Sequence, residues 1–219
     1  MTVTFTCTDP ESSIATCTGP TTVSTEGAGQ IVTGTAVDTA RNSASTSVTI
    51  NLDKTPPVLT CPLAAAVLAT EPTGTSSANP SIQAFLAAAS ATDNLDAAVS
   101  MTNTAPSFFP LGPTPVIFVG TDDAGNQSTC QATVTVNNPA PVFDSISNKF
   151  VDEGQSLVFT VSATDPNGDT LAYTASGLPP GASFDVRTRT FSWAPTYTQA
   201  GLYSVTLSVS DGTDRKSVV

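Results

Sequence analysis

The side chains of this chain that could do chemistry are carboxylates, and they sit in turns. One turn, Thr121-Asp122-Asp123-Ala124-Gly125-Asn126, joins two apolar runs at residues 116–119 and 132–136. The runs read as strands, and Gly and Asn tolerate positive φ. The design occurs earlier as Val37-Asp38-Thr39-Ala40-Arg41-Asn42 and later as Val209-Ser210-Asp211-Gly212-Thr213-Asp214. Other acidic turns precede these: Asp9 and Glu11; Asp93 and Asp96; and Asp165-Pro166-Asn167-Gly168-Asp169. Adjacent carboxylates repel unless water or a cation lies between them. Calcium is a hard cation that takes oxygen ligands, and residues 165–169 alternate such donors. The loop is no EF-hand, because the closing Glu at its twelfth position is missing. Asp122 and Asp123 cannot flank a sugar ring as a glycosidase pair does, being neighbours in one turn.

Other chemistry is excluded by composition. Histidine is absent. That removes Ser-His-Asp and Cys-His catalysis and nearly all common zinc sites, so we expect no enzyme. Net charge is −11, with only seven Lys and Arg. Nucleic acid and anionic membrane surfaces both call for basic patches and are not expected partners. No apolar run approaches the roughly 20 residues that span a bilayer. The sequon Asn126-Gln127-Ser128 falls in the tight turn and carries no weight.

The turns recur in register. Asp38 and Asn42 return 84 residues later as Asp122 and Asn126, and the linker at residues 53–58 returns at 137–142. A period of this length suits a small β-sandwich, roughly 100 residues long, and is too long for a solenoid repeat. Charged residues make up only 11% of the chain, and Thr, Ser, Ala and Val dominate. That is the make-up of exposed strands. We therefore expect an all-β chain of tandem immunoglobulin-like β-sandwich domains, with one short helix in the middle domain. The domains are 1–54, the C-terminal part of one whose opening strands are missing; 55–138, a whole one; and 139–219, one whose last strand is cut short.

Strand direction places the turns. In such a sandwich the second and sixth strands run back toward the end where the chain comes in, so the turns after them share that end. Each domain then gathers carboxylates there: Asp9, Glu11 and Asp38; Asp93, Asp96, Asp122 and Asp123; and Asp165, Asp169 and Asp211. Asn167 and the linker amides Asn137 and Asn138 lie near the last group. Asp165, Asn167, Asp169, Asp211 and Asn138 are the candidate calcium ligands.

Along the chain, Val3, Phe5 and Cys7 alternate as one face of a strand. Residues 30–37 and 46–52 flank the first turn. Arg41 stands where the second copy has Gly125, so this copy is expected to be wound differently, since a left-handed Arg costs on the order of 1 kcal/mol. Asn79, Pro80 and the spacing of Ile82, Phe85 and Leu86 predict a helix near residues 81–89. Residues 157–163 and 203–209 alternate as strands, and Trp193 reads as core rather than as a sugar platform. Four cysteines allow three pairings. Cys7–Cys17 and Cys61–Cys130 each stay inside one repeat unit. Free thiols are the alternative, but no CxxC or Cys/His group gives them a role. Disulfides imply an oxidising compartment.

Residues 53–58 with Cys61-Pro62, Ala91-Thr92-Asp93-Asn94, Pro110-Leu111-Gly112 and residues 119–126 followed by Cys130 and Val134 resemble the HYR (hyalin repeat) family. The resemblance implies an immunoglobulin-like extracellular module and a Cys61–Cys130 bridge. Asp152-Glu153-Gly154-Gln155, residues 163–169 and 177–181, Ala200-Gly201-Leu202-Tyr203 and Val209-Ser210-Asp211-Gly212 resemble cadherin-like modules of dystroglycan type and immunoglobulin-like modules of bacterial surface proteins. The first segment resembles bacterial immunoglobulin-like repeats. Together these imply a secreted or cell-surface stalk, structural or adhesive. Its partners are other domains of the array or protein and glycan surface ligands. Two rivals are an accessory or carbohydrate-binding region of a secreted hydrolase, and a homo-oligomeric filament subunit assembled by strand complementation.

Overall fold

The computed structural model describes residues 1–213 and 215–218. Asp214, last residue of the third turn, and Val219, in the expected final strand, lie outside the described residues. The fold is all-β, with one helix among the described residues. It divides into two compact units: Met1–Cys61 with Ala88–Thr104 and Ile117–Gln131, and Pro62–Ala87 with Ala105–Val116 and Ala132–Val219.

In the first unit, Ile14–Cys17, Gly27–Asp38 and Ser43–Leu52 form an antiparallel sheet in that order. Its apolar positions alternate, so Val32 and Ile50 reach one face and pack with Val23, Val3, Phe5 and Leu52. Gly34 is required there, because a Cβ would stand 2.4 Å from the Phe5 ring. Val58–Thr60 pairs with Ser90–Thr92, and Ser100–Asn103 pairs with residues 118–121. The alternation at Val3, Phe5 and Cys7 gives a strand only at Thr2–Val3. The disulfides are Cys7–Cys17 and Cys61–Cys130.

In the second unit the helix spans Pro80–Ala87. Asn79 caps it, its Oδ1 accepting from the Ser81 N–H at 2.9 Å, and Ile82 and Phe85 turn inward. Ala65–Leu68 runs parallel to residues 134–137. Gly74–Ser76 pairs with Phe108–Pro110, placing Phe109 out of reach of solvent. The C-terminal module has three small sheets: Val142–Phe143 with Ala163–Thr164; Leu157–Thr160, Thr190–Trp193 and Ser183–Asp185; and Ala172–Ser176, Thr206–Ser210 and Arg215–Val218. Val161, Tyr173, Leu207 and Val209 are its core. Trp193 is 9% exposed, meets Tyr203 edge-on at 5.0 Å, and donates its indole N–H to the Pro180 carbonyl. It is a core residue. The alternating run from Tyr203 becomes a strand only at Thr206.

Candidate functional site

The repeated turn is built around one side-chain pairing. Asn126 donates its backbone N–H to Asp122 Oδ1 at 2.7 Å and its Nδ2 to Oδ2 at 2.8 Å. Asn42 treats Asp38 identically, at 2.8 Å for both contacts. Both aspartates are buried, so the pairing satisfies carboxylates that would otherwise be costly to desolvate. The expectation that the first copy is wound differently is corrected by the backbone. Arg41 has φ 71° and Gly125 has φ 90°, and the same two backbone bonds close each turn. The doubled Asp–Asn clasp offsets the left-handed cost at Arg41.

In the second unit, Asp165, Asp169 and Asp211 bring one carboxylate oxygen each within 4.8 Å of the others. The backbone shapes this group: the N–H groups of Asn167 and Asp169 both donate to Asp165 Oδ1 at 3.1 Å, bending the chain around that carboxylate. Asn167 lies at the centre and is 4% exposed. Its Nδ2 donates to the Glu71 carbonyl (3.2 Å), Asn138 Oδ1 (2.9 Å) and Asp169 Oδ2 (3.0 Å). Asn138 in turn donates to Asp211 Oδ2 at 3.0 Å. One buried amide therefore ties the 165–169 turn to two segments distant in sequence, and Asn138 adds a third through Asp211. Asn167 Oδ1 and Asp165 Oδ2 are buried without a partner. A buried polar atom so placed is costly unless an ion or water meets it. All five residues singled out from the sequence meet here. Asn137 does not: it ends its strand, its carbonyl accepting from the Ala69 N–H.

The first unit holds a second group, Asp53, Asp93 and Asp96, with the same 4.8 Å spacing. Asp53 and Asp96 border a cavity of about 230 Å³ together with Asn51, Asp123 and Ala124. Asp53 Oδ2 and Asp93 Oδ2 are buried without partners. Asp123 joins through its N–H, which donates to Asp96 Oδ2 at 2.8 Å, while Asp122 is occupied by Asn126. Asp53 was missed by the sequence reading, which took residues 53–58 as a spacer. Its signal was the register that sets it opposite Asn137. Glu26 was missed as well; it receives Asn94 Nδ2 at 2.5 Å and the Thr55 hydroxyl at 2.7 Å. Asp9, Glu11 and Asp38 form no three-carboxylate group among the described residues. Asp9 instead accepts the N–H groups of Glu11 and Ser12.

These contacts set opposite pH responses. The Asn94 amide and Thr55 hydroxyl hold Glu26 below its usual value, and the Asn42 clasp does the same for Asp38. Backbone N–H groups lower Asp9 and Asp185. Such groups stabilise the fold above the unfolded carboxylate range, and that contribution is lost as pH falls through it. Asp53 differs. The Thr55 N–H lowers it, but burial and the charges of Asp93, Asp122 and Glu26 outweigh that and leave it raised. Ionised Asp53 therefore costs stability at neutral pH and is relieved in acid. Asp53→Asn is expected to raise the urea midpoint at pH 7 in EGTA, with the gain vanishing below about pH 4. An equal gain at both pH values would show that charge is not the cause.

A chain of small disulfide-bonded β-sandwich modules with acidic turns belongs to the immunoglobulin-like class. Residues 52–136 match the HYR domain family and residues 140–219 the "Putative Ig domain" family, so the chain carries an HYR domain followed by an Ig-type domain. Hyalin of Lytechinus variegatus is 34% identical over 166 residues, covering 68% of this chain. The chain spans 30% of that relative's length. Among solved structures, protocadherin gammaB7 EC3-6 aligns over 87% of this chain and 58% of its own, with 18% identity and a TM-score of 0.32. An endo-fucoidan hydrolase of glycoside hydrolase family 107 aligns over 99% and 37%, with 16% identity and the same TM-score, 0.32. At that level of similarity neither structure bears on function. No described helix is long and apolar enough to cross a membrane.

Proposed function

We propose that this chain is a non-catalytic segment of an extracellular stalk, structural or adhesive, built of tandem β-sandwich modules and stiffened by calcium. The HYR and Ig-type families and the similarity to hyalin support the extracellular, adhesion-type reading, as do the two disulfides. Calcium rests on one observation: the buried Asn167 offers an unpartnered Oδ1 among Asp165, Asp169 and Asp211. These residues and Asn138 supply oxygen only, which suits a hard cation and no soft one. With an ion bound there, the turn at 165–169, Asn138, the Glu71 carbonyl and Asp211 are held as one piece. The partners are then neighbouring domains of the same array or protein and glycan surfaces.

Calcium titrated into the EGTA-treated protein and followed by calorimetry should give saturable binding with Kd on the order of 10⁻⁴–10⁻³ M, the range of extracellular modules. The double variant Asp165→Asn/Asp211→Asn should lose it. No binding heat, with a melting temperature and scattering profile indifferent to EGTA, would overturn the calcium reading.

A further inference from the structure

Asn167 is the only asparagine of the chain that glycine follows. The backbone nitrogen after an asparagine can attack the side-chain amide, and glycine has no Cβ to obstruct the close approach. Asparagine is a thermolabile residue. The two partners are placed differently. Asn167 is 4% exposed, whereas Gly168 is exposed and has open space where a Cβ would stand. Water therefore reaches the glycine while the amide beside it is covered.

The closed turn blocks the attack. The Gly168 N–H donates to the Asp165 carbonyl at 3.3 Å. The Asn167 Nδ2 is held by acceptors on Glu71, Asn138 and Asp169. Nucleophile and leaving group are both tied, so the turn must open before they react. Opening is easiest when nothing meets the inward oxygens. Asn167 Oδ1 and Asp165 Oδ2 are buried without a partner, and the carboxylates of Asp165, Asp169 and Asp211 repel one another. Such a turn opens locally, well short of global unfolding. A cation in the group removes both penalties and keeps the turn shut, a closure that rests on the calcium binding proposed above.

We infer that Asn167 and Gly168 form a self-modification site, where deamidation is gated by the turn that the ion closes. The Gly168 nitrogen bonds to Asn167 Cγ, the Cγ–Nδ2 bond breaks, and ammonia leaves with the proton from the glycine nitrogen. Water then opens the cyclic imide at either carbonyl carbon. One opening gives aspartate at position 167, a fourth carboxylate in the group. The other gives isoaspartate, which routes the backbone through the side chain and lengthens it by one atom. The N–H groups of Asn167 and Asp169, which both donate to Asp165 Oδ1, are then no longer spaced to do so. Either product alters the site permanently, so the turn records time spent without its ion.

The test incubates the whole chain in EGTA or in calcium, in water labelled with heavy oxygen. Its peptides are weighed at intervals, and a urea-unfolded sample gives the unprotected rate. In EGTA the folded chain should take up label at Asn167 ahead of every other asparagine. An ion that binds only the closed turn divides the open fraction by 1 + [L]/Kd, so calcium about 100-fold above Kd should slow the conversion about 100-fold. In Asp165→Asn/Asp211→Asn the rate should be the same in calcium and in EGTA. No conversion in EGTA while the unfolded chain converts fully, or earlier conversion at another asparagine, overturns the inference. Calorimetric binding with equal rates in calcium and EGTA overturns it and spares the calcium reading. Conversion in EGTA with no binding heat overturns the calcium reading and the gate with it.

Discussion

Serine at both Cys61 and Cys130 is expected to lower the stability of the fold by about 4 kcal/mol, the larger of the two disulfide effects. The bridge closes a loop of sequence separation 69, and the other one of only 10. On the chain-entropy model the long loop contributes about 4.4 kcal/mol and the short loop about 2.7. Position strengthens the contrast. Cys61 directly follows the short strand Val58–Thr60, and Cys130 lies inside Gln127–Asn137. The bridge therefore fixes a three-residue strand, which has little ladder energy of its own, to an eleven-residue one. Cys7 lies beyond a two-residue strand, and its bridge to Cys17 holds a segment that Val3 and Phe5 also tie to the core. Urea midpoints of the two double-serine variants should fall in that order. The reverse order would mean that the unfolded chain already keeps residues 61 and 130 close, so that little entropy is removed by linking them.

The architecture was legible in the sequence because its signals are local. Asp38 and Asn42 announce a clasp that needs only a four-residue spacing, and the helix at Pro80–Ala87 is written in Asn79-Pro80 and the spacing of Ile82 and Phe85. What failed was of two kinds. At Arg41 a propensity rule was applied to one residue, while the winding is set by the two bonds between Asp38 and Asn42. At residues 203–205 alternation gave the face each side chain takes but not whether another strand lies alongside. Periodicity reports burial, and pairing is a separate, long-range fact.

The acidic groups divide along the same line. Asp165, Asn167 and Asp169 are neighbours in sequence, so their convergence could be foreseen, and the repeat brought in Asp211. Glu26 and Asn94 are 68 positions apart, and no spacing rule joins them. Asp53 looked like one end of a stiff proline linker. Its carboxylate takes the Thr55 N–H with Oδ1 and leaves Oδ2 buried. A residue can thus serve a linker by its backbone and a charged cluster by its side chain.

With free calcium about 100-fold above Kd, the protein should gain about 2.7 kcal/mol over its EGTA-treated form. Asn167→Asp separates a ligand from a mere structural amide. Without calcium the variant puts a fourth carboxylate among Asp165, Asp169 and Asp211. It also removes the Nδ2 donations to the Glu71 carbonyl, Asn138 and Asp169. A loss of about 1–3 kcal/mol follows from the unpaired acceptors, and like charge adds to it. With calcium the new oxygen is a ligand and the ion cancels the repulsion. The calcium-dependent increment in the urea midpoint should therefore be larger in Asn167→Asp than in the parent chain. If Asn167 served packing alone, the substitution would cost the same in calcium and in EGTA, because the lost amide bonds do not depend on the ion.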